Sequence, residues 1–217
     1  MNPERNRRAN SLIERLSDDL EPVRAIRTRD GIALVALAVV VTILLVEFTE
    51  GLWLAGLTGS ASPFFYLGNG LLLVLGAAAA IGVLAMASPR VGNRHEGPKW
   101  AMAMAAVLPL AALVTLFSQP GGIAAYHDPY GMHCLTAAVL SSVLVAGALV
   151  TWLRRGAPVS VNTAGLLVGV ASTALGSAAY GLSCPLDGML HIGFWHAAPV
   201  AIGALVGRFA LPPLLRW

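Results

Sequence analysis

The sequence predicts an all-α integral membrane protein with six transmembrane helices and both termini in the cytoplasm. Of its 217 residues, 57% are hydrophobic and 12% are charged, against about 25% charged residues in an ordinary soluble domain. The mean hydropathy is +0.73. Six apolar stretches are each long enough to cross a hydrocarbon core of about 30 Å as a helix. They lie near residues 31–48, 64–87, 100–118, 134–153, 164–182 and 195–213.

The distribution of basic residues predicts the orientation of these spans. With six spans, all fourteen Lys and Arg residues fall on one side of the membrane, and the positive-inside rule makes that side cytoplasmic. The net charge of +3 comes from these flanks, so it does not require nucleic acid as a partner. The basic residues are Arg5, Arg7, Arg8, Arg15, Arg24, Arg27, Arg29, Arg90, Arg94, Lys99, Arg154, Arg155, Arg208 and Arg216.

Residues 1–30 form the sizeable polar segment, and residues 31–217 form the membrane domain. Within the polar segment, Leu12, Ile13, Leu16 and Leu20 recur at helical spacing, which predicts a short amphipathic helix. Such a helix can lie on the membrane surface or dock its apolar stripe into a groove of a partner protein. The segment has six acidic residues against seven arginines. This balance argues against the membrane surface, because helices that bind there are usually clearly cationic.

The fifth span carries small residues at every fourth position, which lines one helix face with them. They are Gly165, Gly169, Thr173, Ser177 and Gly181. Small side chains let two transmembrane helices approach closely. The pattern therefore predicts a packing surface, either within the bundle or in a homodimer.

Polar residues with ligand chemistry gather on the side opposite the basic residues. They are Cys134, Cys184, His127, His133, His191, His196, Asp128 and Asp187. Imidazole and thiolate suit Zn²⁺, copper and haem iron, but the spacings match no recognised ligand motif. Catalysis is not expected, because no nucleophile and base with an orienting third group emerge. The plain alternative is a set of polar residues at the membrane boundary.

The order Ser183-Cys184-Pro185 also gives a physical basis for a redox role. Proline favours the first position of a helix, so the sequence predicts Cys184 as the N-cap, where unpaired N–H groups favour the thiolate. An exposed thiol of this kind oxidises readily, and Cys134 is a candidate to resolve it as a disulfide.

Several segments of the chain resemble the NrsF-type membrane anti-sigma factors. They are LIERLSDDLEPV (12–23), LRRGAP (153–158), GLLVGVASTALG (165–176), LSCP (182–185), FWHAAPV (194–200), GALVGR (203–208) and LLRW (214–217). The resemblance implies a bacterial inner-membrane protein whose cytoplasmic N-terminal segment sequesters an extracytoplasmic-function sigma factor. It further implies that oxidants or heavy metals in the periplasm act on the outward cysteines and release the sigma factor.

The family pattern and the outward polar residues together give a specific set of expectations. The sensing site is expected at Cys134, Cys184, His133, His191, His196 and Asp187, and the partner-binding residues at Leu12, Ile13, Leu16, Leu20 and Val23. The expected partners are the sigma factor and the lipid bilayer, without direct contact to nucleic acid, and a homodimer is left open. No enzymatic activity and no cofactor are expected, apart from transient heavy-metal binding at the outward cysteines. The alternative is a small transporter, or a carrier of a redox or metal cofactor, that uses the outward His and Cys residues.

Overall fold

The computed structural model describes residues 14–15, 17–18, 26–88, 96–120 and 122–215. Within these ranges the regular structure is helical. The expected partner-binding residues Leu12, Ile13, Leu16, Leu20 and Val23 lie outside them.

Six helices in the described ranges are long and apolar enough to cross a membrane, which confirms the predicted number of spans. They are α1 (Thr28–Glu50), α2 (Pro63–Met86), α3 (Pro98–Ser118), α4 (Gly131–Leu153), α5 (Val161–Gly181) and α6 (Met189–Phe209). The sixth begins at Met189, earlier than the predicted start near residue 195. His191 and His196 therefore both lie within a span.

Short breaks divide three of these helices, and short helices connect or follow them. α3 comprises the segment Glu96–Ala105 from Pro98 onward and the segment Val107–Ser118, and α4 comprises Gly131–Ser141 and Val143–Leu153. α6 consists of Met189–His191, a π-helical segment Ile192–His196, and Ala198–Phe209. The short helices are Leu54–Leu57, Gly122–Ala125 and Pro212–Leu215.

Helix α5 lies at the centre of the bundle. In the most apolar stretch of α5, 94% of the residues are buried, whereas in that of α1 the share is 22%. α5 packs against α1, α2, α4 and α6. Large side chains such as Leu37 and Leu44 on α1 stay exposed, as expected for a surface that faces lipid.

The small residues of α5 let α6 approach its backbone. A Cβ added at Gly169 would collide with the carbonyl oxygen of Gly203, and one at Gly165 would collide with that of Gly207. The small-residue face is therefore a packing surface within the bundle, one of the two predicted alternatives. Close backbone contact of this kind is the usual reason for glycine in membrane helices.

Three connections, 51–62, 119–130 and 182–188, lie at one end of the bundle, which we call the cluster end. There the Trp53 N–H donates to the Leu182 carbonyl oxygen at 2.8 Å, which ties the end of α1 to the end of α5. Ser62 is the N-cap of α2, and its hydroxyl accepts from the Phe65 N–H. These bonds fix the ends of the helices that carry the site.

Candidate thiol and histidine site

The two cysteines meet at the cluster end although 50 residues separate them in the chain. Cys134 lies in the first turn of α4, Cys184 follows α5, and their Sγ atoms are 3.8 Å apart. Both are free thiols, and their exposures are 3% and 4%. The expectation of an exposed Cys184 is therefore wrong, because both side chains pack in an apolar group with Val46 and Tyr180.

Cys184 is also not the N-cap of a helix. Residues 184–188 are non-helical, and the helix begins at Met189 after Gly188 as N-cap. Its hydrogen bond to Cys134, followed by burial, raises the pKa of the Cys184 thiol above its ordinary value. The helix N-terminus therefore does not supply the thiolate character that the sequence predicted.

His191 contacts the cysteine pair through one ring nitrogen and a carboxylate through the other. Its Nε2 lies 3.4 Å from Cys184 Sγ, and its Nδ1 lies 2.7 Å from Asp128 Oδ2. Because an ionised carboxylate only accepts, we assign the proton to Nδ1, which leaves the Nε2 lone pair directed at the sulfur. This carboxylate and imidazole arrangement is the one that orients histidine ligands in metal sites.

Neighbouring residues hold the Asp128 carboxylate in place. The Tyr130 N–H donates to Oδ1 at 3.1 Å, and the Tyr126 hydroxyl donates to Oδ2 at 3.3 Å. Burial raises the pKa of Tyr126, so its hydroxyl stays protonated. The Tyr126 oxygen in turn accepts from Trp195 Nε1 at 3.1 Å. Asp128 is thus linked to α6 directly by its hydrogen bond with His191, and indirectly through Tyr126, which bonds to Trp195.

The π-helical segment brings His196 to the same place as His191. Residues five apart point about 140° away from each other on an α-helix, whereas a π turn brings them closer to one face. The two imidazole rings lie 5.3 Å apart. Pro199 gives a reason for the wider turn, because its ring crowds the carbonyl four residues earlier. The Val200 N–H bonds to the Ala197 carbonyl instead of that of His196, and the His196 carbonyl accepts from the Ser177 hydroxyl at 2.7 Å.

The resulting site contains four buried groups that can bind a metal. The ligand atoms of Cys134, Cys184, His191 and His196 all lie within 4.8 Å of one another. His196 Nε2 is buried without a hydrogen-bond partner among the described residues. The Tyr180 hydroxyl donates to Cys134 Sγ at 3.6 Å, and its ring stacks on His196.

The structure separates the other two predicted sensing residues from these four. Asp187 Oδ2 accepts from the Ser62 N–H at 2.7 Å, and the Ser62 hydroxyl donates to the Asp187 carbonyl at 2.7 Å. His133 is not one of the four clustered groups, and its Nε2 lies 3.5 Å from Glu50 Oε2. Asp187 therefore anchors the 182–188 connection to α2, and His133 pairs with the end of α1.

A cavity of about 450 Å³ lies beside the two cysteines. Cys134 and Cys184 line it together with Tyr180, His133 and Glu50. It is large enough for water and small solutes. Both cysteines, although buried by neighbouring side chains, thus border this cavity.

Sequence reasoning missed the supporting residues of this site. Asp128 was considered only as one of several ligands, and Tyr180 was not considered. Asp128 is 63 residues from His191, and Tyr180 is 46 residues from Cys134. The sequence showed only that polar residues lie near the predicted outer ends of the spans. That pattern does not specify which side chains contact one another.

Fold and site together define a six-span helical membrane protein with two cysteines and two histidines gathered in one buried cluster. A family model described as "Negative regulator of sigma F" (NrsF) matches residues 16–217, and the chain belongs to this family. The chain is similar to a protein of Azospira oryzae named "Probable anti-sigma-F factor NrsF". The two are 26% identical over 157 residues, which cover 71% of this chain and 73% of the relative. No solved structure matches the chain.

Proposed function

We propose that this regulator is an inner-membrane anti-sigma factor that binds an extracytoplasmic-function sigma factor and releases it when oxidants or heavy metals react with Cys134 and Cys184. The proposal describes a regulator, not an enzyme. The observation that carries it is the 3.8 Å separation of the two sulfurs in a chain of the NrsF family. Free thiols at this distance can be joined by a disulfide or bridged by a thiophilic metal ion with small movements.

In the proposed orientation, both termini lie in the cytoplasm and the cluster end faces the periplasm. Support comes from the fourteen Lys and Arg residues, which six spans assign to a single side. The periplasm is also an oxidising compartment in which disulfides persist. A thiol sensor is therefore chemically suited to that side.

The sigma factor would bind the N-terminal segment through its apolar stripe. Support comes from the helical spacing of Leu12, Ile13, Leu16 and Leu20, and from the helical conformation of residues 14–15 and 17–18. An amphipathic helix that docks in a groove presents its anchors at this spacing. Val23 belongs to the same segment by resemblance to the family.

Oxidation would join the two sulfurs in two balanced steps. One thiolate attacks an oxygen of a peroxide-class oxidant, which breaks the O–O bond, forms a sulfenic acid and releases hydroxide. The second thiolate then attacks that sulfur and displaces its hydroxyl group as hydroxide, which forms the S–S bond. The oxidant gains the two electrons that the sulfurs lose.

Helix α5 is suited to carry this change to the opposite end of the bundle. It runs from Ser160, its N-cap, to Gly181, three residues before Cys184, and is the most buried span. A hundredfold loss of partner affinity requires about 2.7 kcal/mol, and a disulfide contributes about 2–4 kcal/mol. One S–S bond is therefore sufficient to bias a two-state change in the bundle.

The sensing part is tested by following release of the cognate sigma factor from the full-length protein in membranes. The wild type should release it after peroxide or cadmium treatment, and the Cys134→Ser plus Cys184→Ser protein should retain it. His127→Ala is the matched control, because His127 is exposed and is not one of the four clustered groups. Normal release by the double variant would contradict thiol sensing.

The binding part is tested by pull-down of the sigma factor in untreated membranes. Leu16→Asp plus Leu20→Asp should abolish capture, because both changes place a charge on the apolar stripe. Ser11→Asp plus Arg15→Gln is the matched control, since it changes the net charge by the same amount outside the stripe. Undiminished capture by the stripe variant would exclude this segment as the binding site.

A further inference from the structure

The two histidines of the cluster are not explained by a sensor that needs only two thiols. His191 Nε2 is directed at Cys184 Sγ, while Asp128 holds the opposite ring nitrogen. His196 Nε2 is buried and has no hydrogen-bond partner in the described part of the chain. A buried polar atom without a partner is costly. One ring nitrogen of each imidazole lies within 4.8 Å of both sulfurs.

Two distances in the cluster match those between ligands around a tetrahedral zinc ion. With Zn–S of about 2.3 Å and Zn–N of about 2.05 Å, tetrahedral geometry places two sulfurs about 3.8 Å apart and a sulfur and a nitrogen about 3.6 Å apart. The observed distances are 3.8 Å between the sulfurs and 3.4 Å between Cys184 Sγ and His191 Nε2. All four donor atoms lie within 4.8 Å of one another.

The charge of the donor set favours a divalent ion. Two thiolates and a divalent cation sum to zero, whereas a monovalent ion would leave one buried negative charge. This difference is large here because Cys134, Cys184, His191 and His196 are each at least 94% buried, and uncompensated charge in such surroundings is costly. Two sulfur and two nitrogen donors in tetrahedral array are typical of closed zinc sites.

We propose that Cys134, Cys184, His191 and His196 bind one Zn²⁺ in the reduced protein and that Asp128 holds His191 in the ligating tautomer. This inference rests on the proposed function in treating the cysteine pair as the sensing site. It adds a resident ion to the predicted transient heavy-metal binding. The cavity beside the sulfurs provides the entry path.

A resident ion changes the chemistry of oxidation in a measurable way. A two-electron oxidant of the peroxide class converts both thiolates to one disulfide and is itself reduced. The disulfide removes two of the four ligands, so one Zn²⁺ leaves for each S–S bond that forms. A thiophilic divalent ion such as Cd²⁺ would instead displace Zn²⁺ without any change in sulfur oxidation state.

The first experiment measures metal in the full-length protein, purified in detergent under reducing conditions. We expect one zinc ion per chain and, after exchange with Co²⁺, the visible bands of tetrahedral cobalt with thiolate charge transfer. Peroxide should release one zinc ion per disulfide, followed with a zinc indicator. This step needs no substitution, so it does not depend on whether a variant folds. Reduced protein that binds neither Zn²⁺ nor Co²⁺ would overturn the inference.

The second experiment compares two histidine variants. His196→Ala should weaken Co²⁺ binding more than about 100-fold, because it removes a metal ligand. Loss of a residue that only hydrogen-bonds to a ligand costs about 10-fold to 100-fold. His127→Ala should leave binding unchanged, since His127 is exposed and is not one of the four donors. Equal losses in the two variants would contradict the assigned ligands.

The outcomes separate this inference from the proposed function. A protein that binds no zinc but releases its sigma factor through Cys134 and Cys184 would overturn the zinc site and leave the anti-sigma function standing. A protein that binds zinc through the four residues but captures no sigma factor would overturn the anti-sigma function and leave the zinc site standing.

Discussion

Cys134 Sγ lies 3.8 Å from Cys184 Sγ, inside an apolar group formed by α1, α4 and the end of α5. A disulfide requires about 2.05 Å between the sulfurs. The two sulfurs are therefore close enough to exist either as free thiols or as a disulfide. To form the disulfide, the helices that hold them must shift by less than about 2 Å.

The two cysteines should form an intramolecular disulfide on treatment with peroxide. Their proximity makes the reaction within one chain faster than reaction between chains. Differential alkylation followed by mass spectrometry should find one Cys134–Cys184 bond per monomer. Cys184→Ser should remove it, and disulfide-linked dimers in the wild type under the same conditions would contradict the prediction.

Asp128→Asn should weaken zinc binding about 10-fold to 100-fold, the usual effect of losing a carboxylate that hydrogen-bonds to a metal-binding histidine. The amide is a poorer acceptor for His191 Nδ1–H, so the ligating tautomer is less favoured. Competition with a chelator of known affinity measures the change. Asp187→Asn is the matched control, because Asp187 bonds to Ser62 outside the cluster; an equal loss there would show a general effect of the cluster end.

Asp187→Ala should lower stability without altering zinc affinity. The substitution leaves the Ser62 N–H without its carboxylate acceptor and loosens the 182–188 connection. Because Asp187 is partly exposed, we expect a loss of about 1 kcal/mol, below the full range for charged hydrogen bonds. The thermal unfolding midpoint in detergent measures this loss. Asp30→Ala, which removes an exposed ion pair with Arg29, should have little effect on this midpoint. An equal decrease in the midpoint for Asp30→Ala would contradict the anchoring role of Asp187.

Gly169→Ala should destabilise the bundle, because the added Cβ would meet the carbonyl oxygen of Gly203. Forcing α5 and α6 apart should cost about 1–3 kcal/mol, as for other overpacked sites. The midpoint of thermal unfolding in detergent should fall. Gly147→Ala on α4 is the matched control, since its Cβ would contact nothing within 4 Å. Equal stability of the two variants would show that α5 and α6 are not in close contact.

The sequence alone predicted the six spans and the packing role of the small residues on α5. Both depend on local features, namely the length of an apolar run and the recurrence of glycine along one helix face. It also identified Cys134, Cys184, His191 and His196 among its candidate site residues. It did not distinguish them from Asp187 and His133, because all six occur near predicted span ends.

Only the tertiary structure decided which of these groups meet. The rotation of α4 against α5, the path of residues 182–188 and the π turn before Pro199 bring two sulfurs and two imidazoles together. Asp128 reaches His191 across 63 residues, a relationship that no local pattern contains. Membrane insertion depends on local hydrophobicity, whereas convergence of side chains depends on how packed helices are turned and spaced. The spans could therefore be predicted from the sequence, and the composition of the buried cluster could not.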